Sequence, residues 1–443
     1  MAQDVLQSNP HRDGKVMMNS SATRTAALAS VLALACGGSK DVLEPIVELP
    51  RQLSAAEQEI IRNTNVFGFD LFQRVHAAET GPNVFLSPLS ASMALGMLVN
   101  GAAGDTWEGM REALRFQDLS AEQINESYRG LMDLLLDLDP RVTVRIGNSV
   151  WSRQGIPFEQ TFMNTVRDYF DAEARELDFD DPATLTAING WASDATNGRI
   201  ERVLDEIRPD HIMFLLNAIY FKGTWERQFD PADTRQAPFT REDGSQVSVP
   251  MMSLRQAVSL PFAYTPDYQA IELAYGAKAY AMVIVLPAPG RTLASLVQSF
   301  DAQAWNGLVD RLDSASVQVQ IPRFRLKYEE LLNQPLIDMG MGEAFGGRAD
   351  FTRLTPIARV NTVCINFVKQ NTFVEVNEEG TEAAAVTTIG VGVTSAPPSF
   401  TVDRPFLFVI RERLSGTILF MGAIGDPAHE ESEAAANPPP PCE

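Results

Sequence analysis

The chain has 443 residues, of which 45% are hydrophobic and 21% are charged, a globular composition sufficient for one large domain or two ordinary ones. The formal net charge of -21 argues against nucleic acid, an anionic membrane surface or a polyanionic cofactor as a partner. With only four histidines and no G-x-S-x-G nucleophile motif, a hydrolase on an unrelated fold is a weak alternative.

The N-terminal part is predicted to be a leader, residues 1–36, followed by a linker over residues 37–54. Residues 26–35 form an apolar run that is too short to span a bilayer, and Arg24 supplies its positive flank. Cys36 follows directly, an arrangement that resembles a bacterial lipoprotein signal, in which the cysteine receives the lipid. We therefore expect an extracellular or cell-envelope protein with Cys36 as the lipidation candidate. Plain secretion and an uncleaved tail remain alternatives.

Residues 55–427 are predicted to form one continuous domain, because neither a Gly/Ser linker nor a charge run divides them. Apolar residues at helical spacing predict a helix over Ala55–Ala78, and the proline after Ser87 predicts the start of a second helix over residues 90–98. The second half of the domain favours strands over residues 280–286, 317–321, 360–376 and 406–410. Helices first and strands later predict an α+β fold with large, mainly antiparallel sheets.

An unusual segment follows the long predicted strand, between a turn at residues 377–380 and the proline pair at residues 397–398. Residues 381–394 contain no proline and, after Glu382, no charge. Taken alternately, one set of these residues is small and then β-branched, and the other set is small or polar, as in a strand with one buried face. The alanines and glycines are poor strand formers, which indicates a segment that must bend and slide as well as pair.

The C-terminal residues 428–443 are acidic and rich in proline, which predicts a disordered tail. The three cysteines, Cys36, Cys364 and Cys442, are far apart and form no C-x-x-C pair, so neither a zinc site nor a disulfide framework is expected. Cys364 lies in an apolar run, which indicates a buried strand cysteine and not a nucleophile. We expect no metal and no other cofactor.

The sequence around the unusual segment resembles the reactive-loop hinge of the serpins, a family of serine protease inhibitors. The hinge-like stretch is FVEVNEEGTEAAA, residues 373–385. Further stretches resemble the family's shutter, helix F region, breach strand and closing strands in the expected order: NVFLSPLS (83–90), INGW (188–191) with TNGRI (196–200), LNAIYFKGTW (216–225), and DRPF (403–406) with LFMG (419–422). Any one motif is moderate support, and five in order identify the chain as a member.

The resemblance implies a serpin fold with three mainly antiparallel β-sheets, eight or nine helices and an exposed reactive loop. It also implies the mechanism of a suicide inhibitor. A target serine protease cleaves the loop, the freed loop inserts into the central sheet, and the protease is trapped as a covalent acyl complex. The protein would then be a monomeric inhibitor and not an enzyme. A non-inhibitory serpin that acts as a binding module or chaperone is the alternative.

The resemblance also assigns the bait that a protease would attack. Inhibitory loops place the scissile bond at a fixed distance beyond the hinge, which here gives Thr394–Ser395, or one bond earlier. A threonine preceded by Val393 suits a protease with a small apolar pocket, such as an elastase-like or subtilisin-like enzyme. The hinge residues implied are Glu378, Glu379, Gly380, Thr381, Glu382, Ala383, Ala384 and Ala385. The small side chains among them favour insertion.

The shutter and breach residues implied by the resemblance are Ser87, Ser90, Asn217, Trp225 and Gln370. Gln370 stands where the family usually has a histidine that hydrogen-bonds the shutter. Because an amide can both donate and accept, we expect Gln370 to keep a network with Asn217 and Ser87. The network then has no group that titrates near neutral pH.

Overall fold

The computed structural model of the protein describes residues 44–381 and 398–432. The predicted leader, part of the linker and most of the C-terminal tail lie outside these ranges. Within them, no helix combines the length and the apolar character needed to cross a membrane. Helices dominate the first half of the described chain and strands dominate the second, as the hydrophobic pattern predicts.

The described residues contain nine helices. The first begins at Ser54, whose hydroxyl accepts from the backbone N–H of Glu57 while the Glu57 carboxylate accepts from the N–H of Ser54, a reciprocal cap that fixes this end. The helices are α1 (Ala55–Ala78), α2 (Pro88–Val99), α3 (Gly104–Ala113), α4 (Ala121–Leu136), α5 (Gln160–Phe170), α6 (Pro182–Ala195), α7 (Leu293–Ser299), α8 (Ala302–Val309) and α9, which comprises Asn333–Leu336, the π-helical Ile337–Met341 and Gly342–Phe345 and is kinked at Gly340.

Seventeen strands are present in the same ranges, and they form three sheets that are mainly antiparallel. The strands are β1 (Asn83–Leu86), β2 (Val142–Arg153), β3 (Glu173–Leu177), β4 (Met213–Thr224), β5 (Arg235–Thr240), β6 (Gln246–Ser253), β7 (Val258–Tyr264), β8 (Tyr268–Tyr275), β9 (Tyr280–Pro287), β10 (Asp313–Pro322), β11 (Phe324–Leu331), β12 (Lys369–Val376), β13 (Gly380–Thr381), β14 (Ser399–Thr401), β15 (Phe406–Glu412), β16 (Ile418–Ile424) and β17 (Glu431–Ser432). The α+β class and the three-sheet architecture with nine helices, both expected from the sequence, are confirmed.

The largest sheet has ten strands in the order β1-β16-β15-β9-β8-β7-β10-β6-β5, with β14 beside β10. Every residue of β9, β15 and β16 is buried, because this sheet lies inside the molecule with the helices α1 and α2 packed nearby. The sequences of such fully buried strands are continuous apolar runs, in which apolar and polar residues do not alternate.

The other two sheets lie edge to edge, with a gap between the edge strands β4 and β12. One contains β13, β4, β2 and β3, and is called the β4 half; the other contains β12, β11 and β17, and is called the β12 half. No ladder of hydrogen bonds joins β4 to β12 within the described residues. The upper end of the gap is where β4 and β12 both end, at Thr224 and Val376.

Two expectations about the β12 half are wrong. The predicted strand over residues 360–376 is regular only from Lys369, because residues 361–368 border the gap and pair with no neighbouring strand. Cys364 lies in this irregular stretch and is disulfide-bonded, contrary to the expectation from cysteine spacing. The other two cysteines, Cys36 and Cys442, lie outside the described residues.

Candidate functional site

A tight turn joins β12 to β13 at the upper end of the gap. The N–H of Asn377 donates to the carbonyl oxygen of Gly380 (2.9 Å). Gly380 has a φ of +141°, and an added Cβ would lie 2.2 Å from the carbonyl oxygen of Gly223, so only glycine fits here. The chain then runs antiparallel to β4, with Gly380 opposite Thr224 and Thr381 opposite Gly223. The start of the predicted hinge therefore already occupies the top of the gap.

Glu378, the first predicted hinge residue, is buried with 5% of its surface exposed. Its Oε1 accepts a hydrogen bond from the hydroxyl of Thr234 (2.7 Å), and its Oε2 lies 3.5 Å from the guanidinium of Arg323. A buried carboxylate is tolerated when it is paired and hydrogen-bonded in this way. Sequence reasoning missed both partners, because each is distant in the chain and neither belongs to a recognisable motif.

Trp225, the predicted breach residue, ties the end of β4 to the same turn. Its backbone N–H donates to the carbonyl oxygen of Glu379 (2.8 Å), and its indole N–H donates to the carbonyl oxygen of Asn377 (3.0 Å). The ring is 4% exposed and stacks on Tyr275, with centroids 4.4 Å apart and an interplanar angle of 12°. Both N–H groups of this tryptophan therefore donate to the turn at residues 377–380, and these bonds hold the upper end of the gap closed.

The predicted shutter residues Ser87, Ser90 and Gln370 meet below this point and are all buried. The Ser87 hydroxyl accepts from the N–H of Ser90 (3.2 Å), which caps α2, and donates to the carbonyl oxygen of Leu419 (2.7 Å). The Gln370 side chain accepts from the N–H of Ser87 and donates to its carbonyl oxygen, both at 2.9 Å. The amide thus fastens β12 to the start of α2 with two hydrogen bonds.

Asn217 does not join this network, so the expected link of Gln370 to Asn217 is wrong, whereas its link to Ser87 is present. The Asn217 side chain, on β4, donates to Asn148 Oδ1 on β2 (2.7 Å) and contacts the sulfur of Met93. Its Oδ1 is buried and has no hydrogen-bond partner. The gap separates Asn217 from the β12 half, and this distance leaves the acceptor unsatisfied. Asn148 is a site residue that no motif in the sequence indicates.

Below the shutter, the gap widens into a cavity of about 170 Å³. Its walls are residues 213–218 of β4 on one side and residues 363–371 on the other, and apolar side chains of α2 and α6 cover it. The cavity narrows at its lower end, where the rings of Phe214 and Phe367 lie 6.2 Å apart. These two side chains approach each other from opposite sides of the gap, so they close its lower end in this state.

His211 borders the lower end of this cavity and is 3% exposed. Burial lowers the pKa of its imidazole from the ordinary value of 6.5, and the carboxylate of Asp210 opposes that shift. Its Nδ1 accepts from the backbone N–H of Arg208 (3.1 Å), so the neutral ring carries its proton on Nε2. This Nε2 is buried without a partner.

Several predicted site residues lie outside the described residues. They are Glu382, Ala383, Ala384 and Ala385 of the hinge, Thr394 and Ser395 of the reactive bond, and the lipidation candidate Cys36. The described part of the chain resumes at Pro398, and Ser399–Thr401 then pairs in parallel with β10. The hinge and the strand that follows the predicted bait therefore belong to different sheets.

Comparison with known proteins gives the class that this fold and site define. The family model described as serpin (serine protease inhibitor) matches residues 62–427. A leukocyte elastase inhibitor of Sus scrofa is 34% identical over 390 residues, 85% of this chain and 100% of the relative. A serpin-like protein of Thermococcus kodakarensis is 33% identical over 383 residues, 84% of this chain and 86% of the relative.

Solved structures agree with this class. The thermophilic serpin tengpin in its native state superposes with a TM-score of 0.76 at 27% identity, covering 86% of this chain and 97% of tengpin. Human thyroxine-binding globulin with its hormone gives a TM-score of 0.76 at 26% identity, with 85% and 100% covered. The chain belongs to the serpin family.

Proposed function

We propose that this protein is a suicide-substrate inhibitor of serine proteases with small apolar specificity, of elastase-like or subtilisin-like type. The protease would cleave the reactive loop, and insertion of the loop between β4 and β12 would trap the acyl-enzyme. The observation that carries the proposal is the unpaired gap between the β4 half and the β12 half, which together would form the central sheet, with the hinge backbone at Gly380–Thr381 already paired to β4 at its top. An enzyme activity is not part of this proposal.

The register at the top of the gap supports insertion of the whole loop. If the antiparallel pairing of Thr381 with Gly223 continued downward, residues 382–391 would pair with β4 from Lys222 to Met213, which is the first residue of that strand. About ten new backbone hydrogen bonds would contribute on the order of 10 kcal/mol. A state that lacks them must be kinetically trapped.

The side-chain pattern of the loop fits the same register. Residues opposite each other in a sheet share a face, so the odd-numbered loop residues would lie on the face of Phe221, Ile219 and Leu215. These three side chains pack in or against the main core. The loop residues in question are Ala383, Ala385 and Ile389, opposite Phe221, Ile219 and Leu215 respectively. The apolar set of the loop would therefore face the core.

The proposed bait is the bond Thr394–Ser395, which suits a small apolar pocket. The 34% identity to a leukocyte elastase inhibitor supports a protease of this type. The test is incubation with elastase-like and subtilisin-like proteases, followed by denaturing electrophoresis and N-terminal sequencing of the released fragment. We expect a complex that survives the detergent and a fragment that begins at Ser395. Catalytic turnover of the loop without any stable complex would contradict the proposal.

A non-inhibitory binding role is a second candidate, because a thyroxine-binding globulin matches this fold as well as tengpin does. Inhibition and binding differ in what loop cleavage does to stability. An inhibitor gains a strand in its central sheet on cleavage, whereas a binding module without insertion gains none. Absence of both stable complexes and a stability increase would favour the binding role.

We also propose that the protein acts outside the cytoplasm as a monomer, attached to the envelope by a lipid on Cys36. The apolar run before Cys36 supports this, and the net charge of -21 makes direct adsorption to an anionic surface unfavourable. Mass spectrometry of the N-terminal peptide from native membranes tests it. An unmodified Cys36 still joined to Ala35 would contradict it.

A further inference from the structure

The disulfide bond of Cys364 lies in the irregular stretch that leads into β12. The chain holds three cysteines, so the partner within the chain is either Cys36 or Cys442. Both of these lie outside the described residues, near opposite ends of the chain. The points at which the two ends of the described structure lie therefore decide which cysteine can reach Cys364.

The C-terminal end of the described structure runs toward Cys364. β17 pairs in parallel with β11, with Ser432 opposite Tyr328, and Tyr328 lies opposite Thr372 of the antiparallel β12. Because β12 runs up toward the hinge, β17 runs down toward the lower end of the gap, where Cys364 borders the cavity. A chain that continues from Ser432 in this direction approaches Cys364.

The remaining chain is long enough to cover the distance. Cys364 precedes Thr372 by eight residues, which extend at most ~29 Å, and the two strand spacings from β12 to β17 add ~10 Å at right angles. The separation of Ser432 from Cys364 is then at most about 31 Å. The ten residues from Ser432 to Cys442 can span ~33–36 Å. The four consecutive prolines at residues 438–441 favour the extended backbone that such a span requires.

The N-terminal end of the described structure is anchored at the opposite end of the gap. The N–H of Ile46 donates to the carbonyl oxygen of Ala277 (2.8 Å). The N–H of the adjoining Gly276 donates to the carbonyl oxygen of Thr224, the last residue of β4 (2.8 Å). The chain before Ile46 therefore starts from the upper end of β4.

From this anchor, Cys36 is at the limit of its reach. β4 has 12 residues and spans ~36 Å. Cys364 lies beyond its lower end, three residues before Phe367, whose ring centroid is 6.2 Å from that of Phe214. The ten residues from Ile46 to Cys36 span ~33–36 Å only when all of them are fully extended. The C-terminal route needs no such complete extension, so chain length favours the C-terminal cysteine.

We propose that Cys442 is the disulfide partner of Cys364, and that this bridge spans the reactive bond. Cys364 precedes the proposed bait at Thr394–Ser395, and Cys442 follows it. Cleavage of the loop would therefore leave residues 395–443 covalently attached to the body of the protein. The pairing also leaves Cys36 for the proposed lipid. The bridge does not depend on protease inhibition, and only its consequence for the cleaved loop rests on the proposed function.

The bridge forms by thiol–disulfide exchange with an external disulfide. One cysteine thiolate attacks that disulfide and displaces a thiolate, and the second cysteine attacks the protein sulfur of the mixed disulfide and displaces the other. The two cysteines lose two protons and two electrons, and the external disulfide leaves as two thiols. Such bridges persist in oxidising compartments, which agrees with the proposed location outside the cytoplasm.

Peptide mapping of the full-length protein tests the pairing, with free thiols alkylated and no reductant present. The tryptic peptides that carry the three cysteines are residues 25–40, 360–369 and 414–443. We expect peptide 360–369 to be joined to peptide 414–443. The proposal is overturned if peptide 360–369 is joined to peptide 25–40, is joined to a second copy of itself, or is recovered with an alkylated cysteine.

Denaturing electrophoresis of the cleaved protein tests the consequence. After an elastase-like protease cuts the loop, the wild type should run as one linked chain without reductant and should release residues 395–443 only with reductant. Cys442→Ser should release this fragment under both conditions and should expose the thiol of Cys364 to alkylation. Cys36→Ser is the matched control and should behave as the wild type does.

Release of the fragment from the wild type without reductant would overturn the bridge, as would equal behaviour of Cys442→Ser and the wild type. A loop that is cut without a stable protease complex, but whose fragment stays attached until reduction, would reject the proposed inhibition and leave the bridge standing.

Discussion

The upper and lower ends of the gap between the β4 half and the β12 half are stabilised by different kinds of contact. At the upper end, backbone and buried side chains meet: Trp225 donates twice to the turn, Glu378 is paired inside, and β13 lies in register on β4. At the lower end, a cavity of about 170 Å³ separates the two halves, and Asp205 and Asp210, in the segment between α6 and β4, supply polar contacts to the β12 half.

The difference indicates the direction in which a strand can enter. Buried, mutually satisfied hydrogen bonds are costly to break, whereas partly exposed ion pairs contribute less than about 1 kcal/mol each. The upper end thus acts as a fixed starting point, and the lower end as the part that opens. Variants at the two ends should therefore have different consequences: loss of inhibition or of stability in the uncleaved protein above, and smaller changes in the stability of the cleaved form or in pH dependence below.

The largest effect is expected for Thr381→Arg at the upper end. Residue 381 lies opposite Gly223 at the top of the gap, and loop insertion would enclose its side chain between the two halves, where the unpaired charge of an arginine costs several kcal/mol. The loop should still be cleaved, but the inhibitor should behave as a substrate. Denaturing electrophoresis should show the cleaved chain in place of the complex. Stable complexes at full stoichiometry would show that insertion is not required.

Trp225→Ala should have the next largest effect, on the uncleaved protein. It removes a buried ring and the indole hydrogen bond to Asn377, while the backbone bond to Glu379 remains, and it should lower the free energy of unfolding by ~3–5 kcal/mol. Urea unfolding followed by circular dichroism measures the change. Trp225→Phe keeps the stacking on Tyr275 and should lose only ~1 kcal/mol with the indole hydrogen bond. An equal loss in both variants would assign the stability to the hydrogen bond alone.

Thr387→Val tests the register of the inserted loop towards the lower end of the gap. If the pairing at the top of the gap continued in the proposed inserted state, residue 387 would lie opposite Asn217, whose Oδ1 is buried and unpaired before insertion. If the inserted hydroxyl satisfies this acceptor, valine should lower the stability of the cleaved form by ~1 kcal/mol and leave the uncleaved form unchanged. Thr388→Val is the control, since its side chain would lie on the other face of the strand. Equal effects of the two variants would place the register elsewhere.

The smallest effect is expected from the pH dependence of His211. Burial lowers its pKa in the folded state, so the unfolded chain binds the proton more readily. Stability from this group is complete above the unfolded pKa near 6.5 and is lost as the pH falls below it. His211→Phe should flatten the decline of the unfolding free energy between about pH 7 and about pH 5.5. A remaining slope is expected from His76, whose pKa burial also lowers.

The sequence predicts features that depend on neighbouring residues, such as helix bounds, more accurately than contacts between distant segments. The bounds of α1 agree with the prediction because the Ser54 cap and the helical spacing are encoded within the segment. The strand over residues 360–376 was overextended because an apolar run does not reveal whether a neighbouring strand is present to pair with it. The partners of Asn217 and Glu378 depend on which distant strands meet, which spacing alone does not encode.

The most direct test of loop insertion is the melting temperature before and after cleavage by an elastase-like protease. About ten added backbone hydrogen bonds should raise it by roughly 10 °C or more, measured by differential scanning calorimetry on the isolated cleaved protein. Sequencing of the new N-terminus confirms that the loop, and no other site, was cut. A melting temperature that is unchanged or lower after cleavage in the loop would contradict insertion.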